Sequence, residues 1–117
     1  MMRLNPTLII ALPVLVLTIA NRPVPKWQAF GNRPLKSVAS CTSTVFAGLG
    51  TASQKWGEEP EAGAVRVFLT PKHAKRGPVV TAYLEGDEKF SSIWMDATDS
   101  RLAASAWRHI RSRCGVA

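Results

Sequence analysis

The chain has 117 residues, 46% of them hydrophobic and 20% charged. That composition fits a globular protein and excludes wholesale disorder. Fifteen Lys and Arg against eight Asp and Glu give a net charge of +7, which favours anionic partners such as nucleic acid, lipid headgroups or anionic glycans. The length allows one domain, and a domain this small buries only about 60–65% of its unfolded surface, so a covalent staple would be a useful addition to its modest core.

The N-terminus reads as an export signal. Met1-Met2-Arg3 is a short positive segment, Leu8 to Ala20 is apolar, and Thr18-Ile19-Ala20 ends in the small residues that a signal peptidase reads. Residues 1–20 are therefore expected to be a cleaved signal peptide. A thirteen-residue helix spans only about 20 Å, against about 30 Å of hydrocarbon, and Pro13 interrupts it. The alternative is an uncleaved membrane anchor through residues 8–20. Either reading puts the rest of the chain outside the cytoplasm, in the periplasm or the extracellular space. Val38-Ala39-Ser40-Cys41 resembles a lipoprotein box in isolation, but the apolar run ends far upstream, at Ala20, so lipidation there is rejected.

Residues 21–34 form a Pro-rich basic linker arm, with Pro23, Pro25, Pro34, Arg22, Lys26 and Arg33. Trp27 and Phe30 lie inside it and suit packing of the arm on the domain that follows, residues 35–117. The spacing of Leu35, Val38, Thr42, Val45, Phe46 and Leu49 predicts a helix over 35–49, stopped by Gly50. Thr51 to Gly63, with Glu58, Glu59 and Glu61, reads as a polar loop. Three alternating runs predict strands at Ala64–Thr70, Val79–Glu85 and Phe90–Asp96. A two-residue Gly86-Asp87 turn would join the last two and set Tyr83 opposite Phe90, Thr81 opposite Ser92 and Val79 opposite Trp94. A second helix is expected over 101–113, capped by Thr98 or Asp99, with Leu102, Ala103, Ala106, Trp107, Ile110 and Cys114 on one stripe.

The fold class expected is a small α+β domain of order α-β-β-β-α, a three-stranded antiparallel meander with two helices on one face. Cys41 and Cys114 are the two cysteines. Export places them where thiols oxidise, and Cys114 continues a buried helical stripe, so a Cys41–Cys114 disulfide is expected. In the chain-entropy model it would contribute roughly 4 kcal/mol.

Strand alternation sorts the sheet into unlike faces. Val65, Val67, Leu69, Val80, Ala82, Leu84, Ile93 and Met95 form an aliphatic face, expected beneath the helices. Arg66, Phe68, Thr70, Thr81, Tyr83, Phe90, Ser92, Trp94 and Asp96 form the other. Aromatics interleaved with Arg can stack bases or sugars and pair with phosphate. They can equally form a cross-strand ladder or lie beneath the arm or the polar loop. Lys72, His73, Lys75 and Arg76 crowd the first strand connection, as a solvated loop or as an anion trap. The ligand face expected is Arg66, Phe68, Tyr83 and Trp94, helped by Lys72, Lys75 and Arg76.

No catalytic or metal-binding constellation emerges. Cys41 with His73 or His109 would make a nucleophile and base, but a disulfide is the better use of the thiol. The cysteines and histidines lack zinc-site spacing, the three glutamates make no convergent acid and base, and Gly48-Leu49-Gly50 lacks the rest of a phosphate-binding fingerprint. The residues imply no cofactor. The function expected is a small exported basic binding or interaction protein without catalysis, whose partner is an anionic ligand, a membrane surface or another protein. Nucleic acid lacks a supporting motif. The alternative is a membrane-tethered structural or accessory subunit of an envelope assembly. A small hydrolase is a third class, for which the residues supply no machinery.

Overall fold

The computed structural model describes residues 26–58, 63–73 and 77–117. The expected leader and the first part of the arm lie outside them, as do Glu59, Glu61, Lys75 and Arg76. The described chain is an α+β domain. In order it runs β1 (Trp27–Gly31), α1 (Leu35–Leu49), β2 (Thr51–Trp56), β3 (Ala64–Thr70), β4 (Val80–Gly86), β5 (Ser91–Ala97) and α2 (Ser100–Arg113). The strands form one antiparallel sheet in the order β1-β5-β4-β3-β2.

The three strands expected from alternation are the central ones. Two edge strands join them from segments read as arm and loop. In β1, Trp27 and Ala29 face the core and pair with Met95 and Ile93. The strand is short and follows a Pro-rich stretch, which masked its alternation. In β2, Thr-Ala-Ser-Gln-Lys-Trp offers no apolar alternation, and only Ala52 is half-buried there. Its pairing with β3, from Thr51↔Thr70 to Trp56↔Val65, follows from α1 ending at Gly50. The Gly50 backbone is extended, and a Cβ there would lie 2.4 Å from the Thr70 carbonyl oxygen. Glycine lets the chain turn directly out of the helix and along β3. Gln54 then ties β2 to α1 by donating to the Ser43 hydroxyl and, at 3.4 Å, to the Ala39 carbonyl.

The β4–β5 hairpin closes two residues later than expected, around Glu88-Lys89. The Asp87 N–H donates to the Phe90 carbonyl at 2.9 Å. Its carboxylate accepts from the N–H groups of Lys89 and Phe90 at 2.7 and 2.9 Å. These bonds hold the Asp87 carboxyl below its ordinary pKa, because they favour the charged form. Its carbonyl is engaged elsewhere, accepting from Leu35 N–H at 2.8 Å, which satisfies one of the orphan donors at the start of α1. The resulting register sets Tyr83 opposite Trp94 and Thr81 opposite Asp96, not opposite Phe90 and Ser92. Each partner moves by four positions, an even number, so the strand side chains keep their expected faces, while Phe90, expected in the strand, falls in the turn.

All eight residues of the aliphatic face are buried. They form one core with Leu35, Val38, Ala39, Val45 and Phe46 of α1 and Ala103, Ala106 and Ile110 of α2. Asp99 caps α2 by accepting from Leu102 N–H at 3.0 Å. Beyond Cys114, Gly115 takes φ 72°, the left-handed conformation that glycine supplies after a helix. The C-terminal tail then returns to β1: Phe30 and Ala117 exchange backbone hydrogen bonds of 3.1 and 2.9 Å.

Cys41 and Cys114 are disulfide-bonded, with Cα atoms 5.6 Å apart across a separation of 73 residues. The bond joins the middle of α1 to the end of α2. It fits an oxidising, exported location. Among the described residues no helix is long and apolar enough to cross a membrane.

Candidate functional site

The sheet face away from the helices carries the expected aromatic set. Its central row runs Gln28, Trp94, Tyr83, Arg66, Lys55 across all five strands. Trp94 and Tyr83 stack with ring centroids 4.0 Å apart and planes 11° from parallel. The Arg66 guanidinium lies over the other side of Tyr83, 5.6 Å from its centroid. Opposed side chains of adjacent strands produce such a ladder, and Arg stacked on a ring adds a cation–π contact. Trp94 remains 38% exposed, with one face resting on Tyr83.

Phe68 stands one row away, opposite Thr81 and beside Ser53. Phe90 lies in the hairpin turn and is exposed. Lys72 is exposed and follows the end of β3 at Thr70, about 13 Å of strand beyond Arg66. The structure thus brings together Arg66, Tyr83 and Trp94 and sets Lys72 apart from that row. Lys75 and Arg76 lie outside the described residues. Two carboxylates share the face, Glu85 opposite Ser92 and Asp96 opposite Thr81.

Charge is segregated along the chain, a signal present in the sequence that the reading by motifs passed over. All eight acidic residues fall between Glu58 and Asp99, with five basic residues among them: Arg66, Lys72, Lys75, Arg76 and Lys89. The excess of acid in that stretch comes from Glu58, Glu59 and Glu61 ahead of β3 and from Asp99 after β5; residues 64–97, which build the three inner strands, carry four acids and five basic residues. The other ten basic residues lie in flanks that contain no acid at all.

The fold brings part of the two flanks together, β1 and the residues around the end of α2. The tail pairing places β1 beside the residues that follow α2. Trp27 of β1 and Trp107, Arg108 and Arg111 of α2 line one groove with Val116 and Ala117. The Lys26 ammonium lies 5.2 Å from the centre of the Trp27 ring. The Arg33 side chain lies against Gly115, where a Cβ would meet its Nε at 2.7 Å. Arg101, Ala104, Arg108 and Arg111 recur at helical spacing and are all exposed. This is a cationic surface with two half-buried indoles set into it.

Cys41, the nucleophile weighed in the sequence, is in a disulfide. His73 lies in the β3–β4 connection, and His109 lines a separate groove between α1 and α2 with Thr44, Val45 and Arg113. Among the described residues no group of three His, Cys, Asp or Glu is placed to hold a metal ion. The chain matches no protein-family model, no curated protein and no solved structure.

Proposed function

We propose that this is a small exported binding protein, without catalytic chemistry, that takes an anionic partner on its β1–α2 side. The observation that carries the reading is the charge of one groove: Arg108 and Arg111 line it beside Trp27 and Trp107, Lys26 lies over Trp27, and no Asp or Glu is among the described lining residues. A concentrated field of one sign steers and holds ligands of the other far better than the same charge dispersed. The disulfide supports action outside the cytoplasm, with residues 1–20 as the export signal.

A second site is favoured by the Trp94–Tyr83–Arg66 row. Its rings and the guanidinium beside them suit a ring-bearing anion, with Glu85 and Asp96 limiting how much negative charge it accepts.

The two sites separate by titration with heparin at low and high salt. Arg108→Glu with Arg111→Glu is expected to weaken binding at least tenfold at low salt, whereas Arg66→Gln with Trp94→Ala leaves it within about twofold. The reverse ranking would move the site to the sheet face. No binding of the wild type to heparin or to anionic vesicles would refute the anionic partner.

A further inference from the structure

The groove between β1 and α2 differs from a plain basic patch in having indole walls. Trp27 and Trp107 are each half-buried and packed on the core, so they are held rigidly with one side toward the groove. Arg108 and Arg111 flank them on α2, Val116 adds an apolar floor, and Lys26 projects over Trp27. Tryptophan is the side chain most enriched at the boundary between hydrocarbon and headgroups, where its ring is buried and its N–H stays wet. Arginine beside it can pair with lipid phosphate while its stem lies along apolar surface. The charges alone would serve a soluble polyanion such as heparin; the two indoles add a contact that a bilayer uses at headgroup level.

A second observation concerns placement. Lys26 and Trp27 are the first described residues, and the apolar run at residues 8–20 lies only a short stretch upstream of them in the sequence. The intervening residues carry Arg22 and no acid. Whichever way that run is processed, the described chain begins at the groove, with Lys26 over Trp27.

We infer that the Trp27–Trp107–Arg108–Arg111 groove docks the domain on an anionic lipid surface, with the two indoles at headgroup level and the arginines on lipid phosphates. This rests on the reading of the β1–α2 side as an anion-binding surface, and it specifies the partner as a bilayer. The Trp94–Tyr83–Arg66 row lies outside that groove and would stay free for other contacts.

The test uses the full chain with vesicles of phosphatidylcholine mixed with phosphatidylglycerol, and with vesicles of phosphatidylcholine alone. Sedimentation reports partition and tryptophan emission reports the environment of the rings. Insertion of residues 8–20 would occur with either lipid, so the quantity read is the ratio of anionic to zwitterionic partition. Each basic residue close to an anionic leaflet contributes about fivefold, so the wild type should favour the anionic vesicles by at least 25-fold at low salt, with emission moving to shorter wavelength. Arg108→Glu with Arg111→Glu should bring the ratio near unity. Lys55→Glu with Lys89→Glu, an equal change in net charge at two exposed positions away from the groove, should preserve most of the preference. Trp27→Phe with Trp107→Phe should remove most of the emission shift.

Equal partition of the wild type into both lipids would overturn the inference, as would equal loss in the two charge-reversed variants. Heparin serves as the second arm. Binding to heparin without preference for anionic vesicles would make the partner a soluble polyanion, overturning the membrane inference while leaving the anion-binding surface intact. Failure with both would remove the surface as well.

Discussion

Trp94 lies flat against Tyr83 on the neighbouring strand, their centroids 4.0 Å apart. The hairpin turn determines this contact. Had the chain reversed at Gly86-Asp87, Tyr83 would face Phe90. Closure by the Asp87 side chain instead brings the two larger rings together, and Arg66 then covers the free side of Tyr83. A double-mutant cycle on Tyr83→Ala and Trp94→Ala should give a coupling of about 0.5–1.5 kcal/mol, the range for stacked aromatic pairs. Additive losses would mean that the rings do not hold each other in solution.

The disulfide should carry a large share of the stability. Its loop of 73 residues corresponds to about 4 kcal/mol in the chain-entropy model, and losing a native bridge from a small secreted domain typically costs about 2–5 kcal/mol. Cys114→Ala is therefore expected to lower the urea midpoint severely or prevent folding. Intact mass after alkylation without reductant should show both thiols protected. Modification of both would contradict the pairing.

Two buried hydroxyls find no hydrogen-bond partner among the described residues, those of Thr42 and Ser91. Thr42 is wholly buried on α1, so its hydroxyl is desolvated without compensation. An unsatisfied buried polar group costs about 1–3 kcal/mol, and an apolar replacement of the same shape removes that cost. Thr42→Val should stabilise the domain by roughly 1 kcal/mol, seen as a rise in Tm of about 4–8 °C for a domain of this size. A loss of stability would indicate that the hydroxyl has a partner in solution.

Much of this architecture was legible in the sequence, and the failures have physical causes. Both helices and the three inner strands follow from apolar periodicity, because these elements bury a stripe or a face, and the disulfide follows from the place of Cys114 on a buried stripe together with the export signal. The edge strands β1 and β2 were not legible, because an edge is specified by backbone pairing more than by side-chain burial. Gln28, Ser53 and Lys55 show no pattern that a loop would lack. The hairpin register failed because Gly86 looked like a turn residue. In the fold it serves a close approach, where a Cβ would sit 2.1 Å from the Phe90 carbonyl oxygen. The aromatic sheet face was foreseen as a set, but its order as a ladder depends on the register. The β1–α2 surface was missed because its parts lie far apart in sequence and meet only through the pairing of Phe30 with Ala117.

Asp87 gives the fold an acid-sensitive turn. Its carboxyl titrates below the ordinary value of about 3.9 in the folded protein because two backbone N–H groups bind the charged form. A depressed folded pKa contributes stability that is present above the unfolded value and is lost as pH falls through the folded one. The Lys89 and Phe90 amide resonances should therefore shift together with the Asp87 carboxyl, at a pH below 3.9. A titration midpoint at or above that value would contradict the turn as described. Asp87→Ala should remove this pH dependence and loosen the contact with Leu35, whereas Asp87→Asn should keep much of the turn.

Anions bound on the β1–α2 side should perturb a defined set of residues. Amide chemical-shift mapping during a heparin titration of the isotope-labelled protein tests this most directly. The largest shifts should fall on Lys26, Trp27, Ala104, Trp107, Arg108, Arg111 and Val116, including the indole N–H signals of Trp27 and Trp107, and they should shrink with added salt. Shifts centred on Arg66, Tyr83 and Trp94, with the α2 resonances unmoved, would contradict binding on that side.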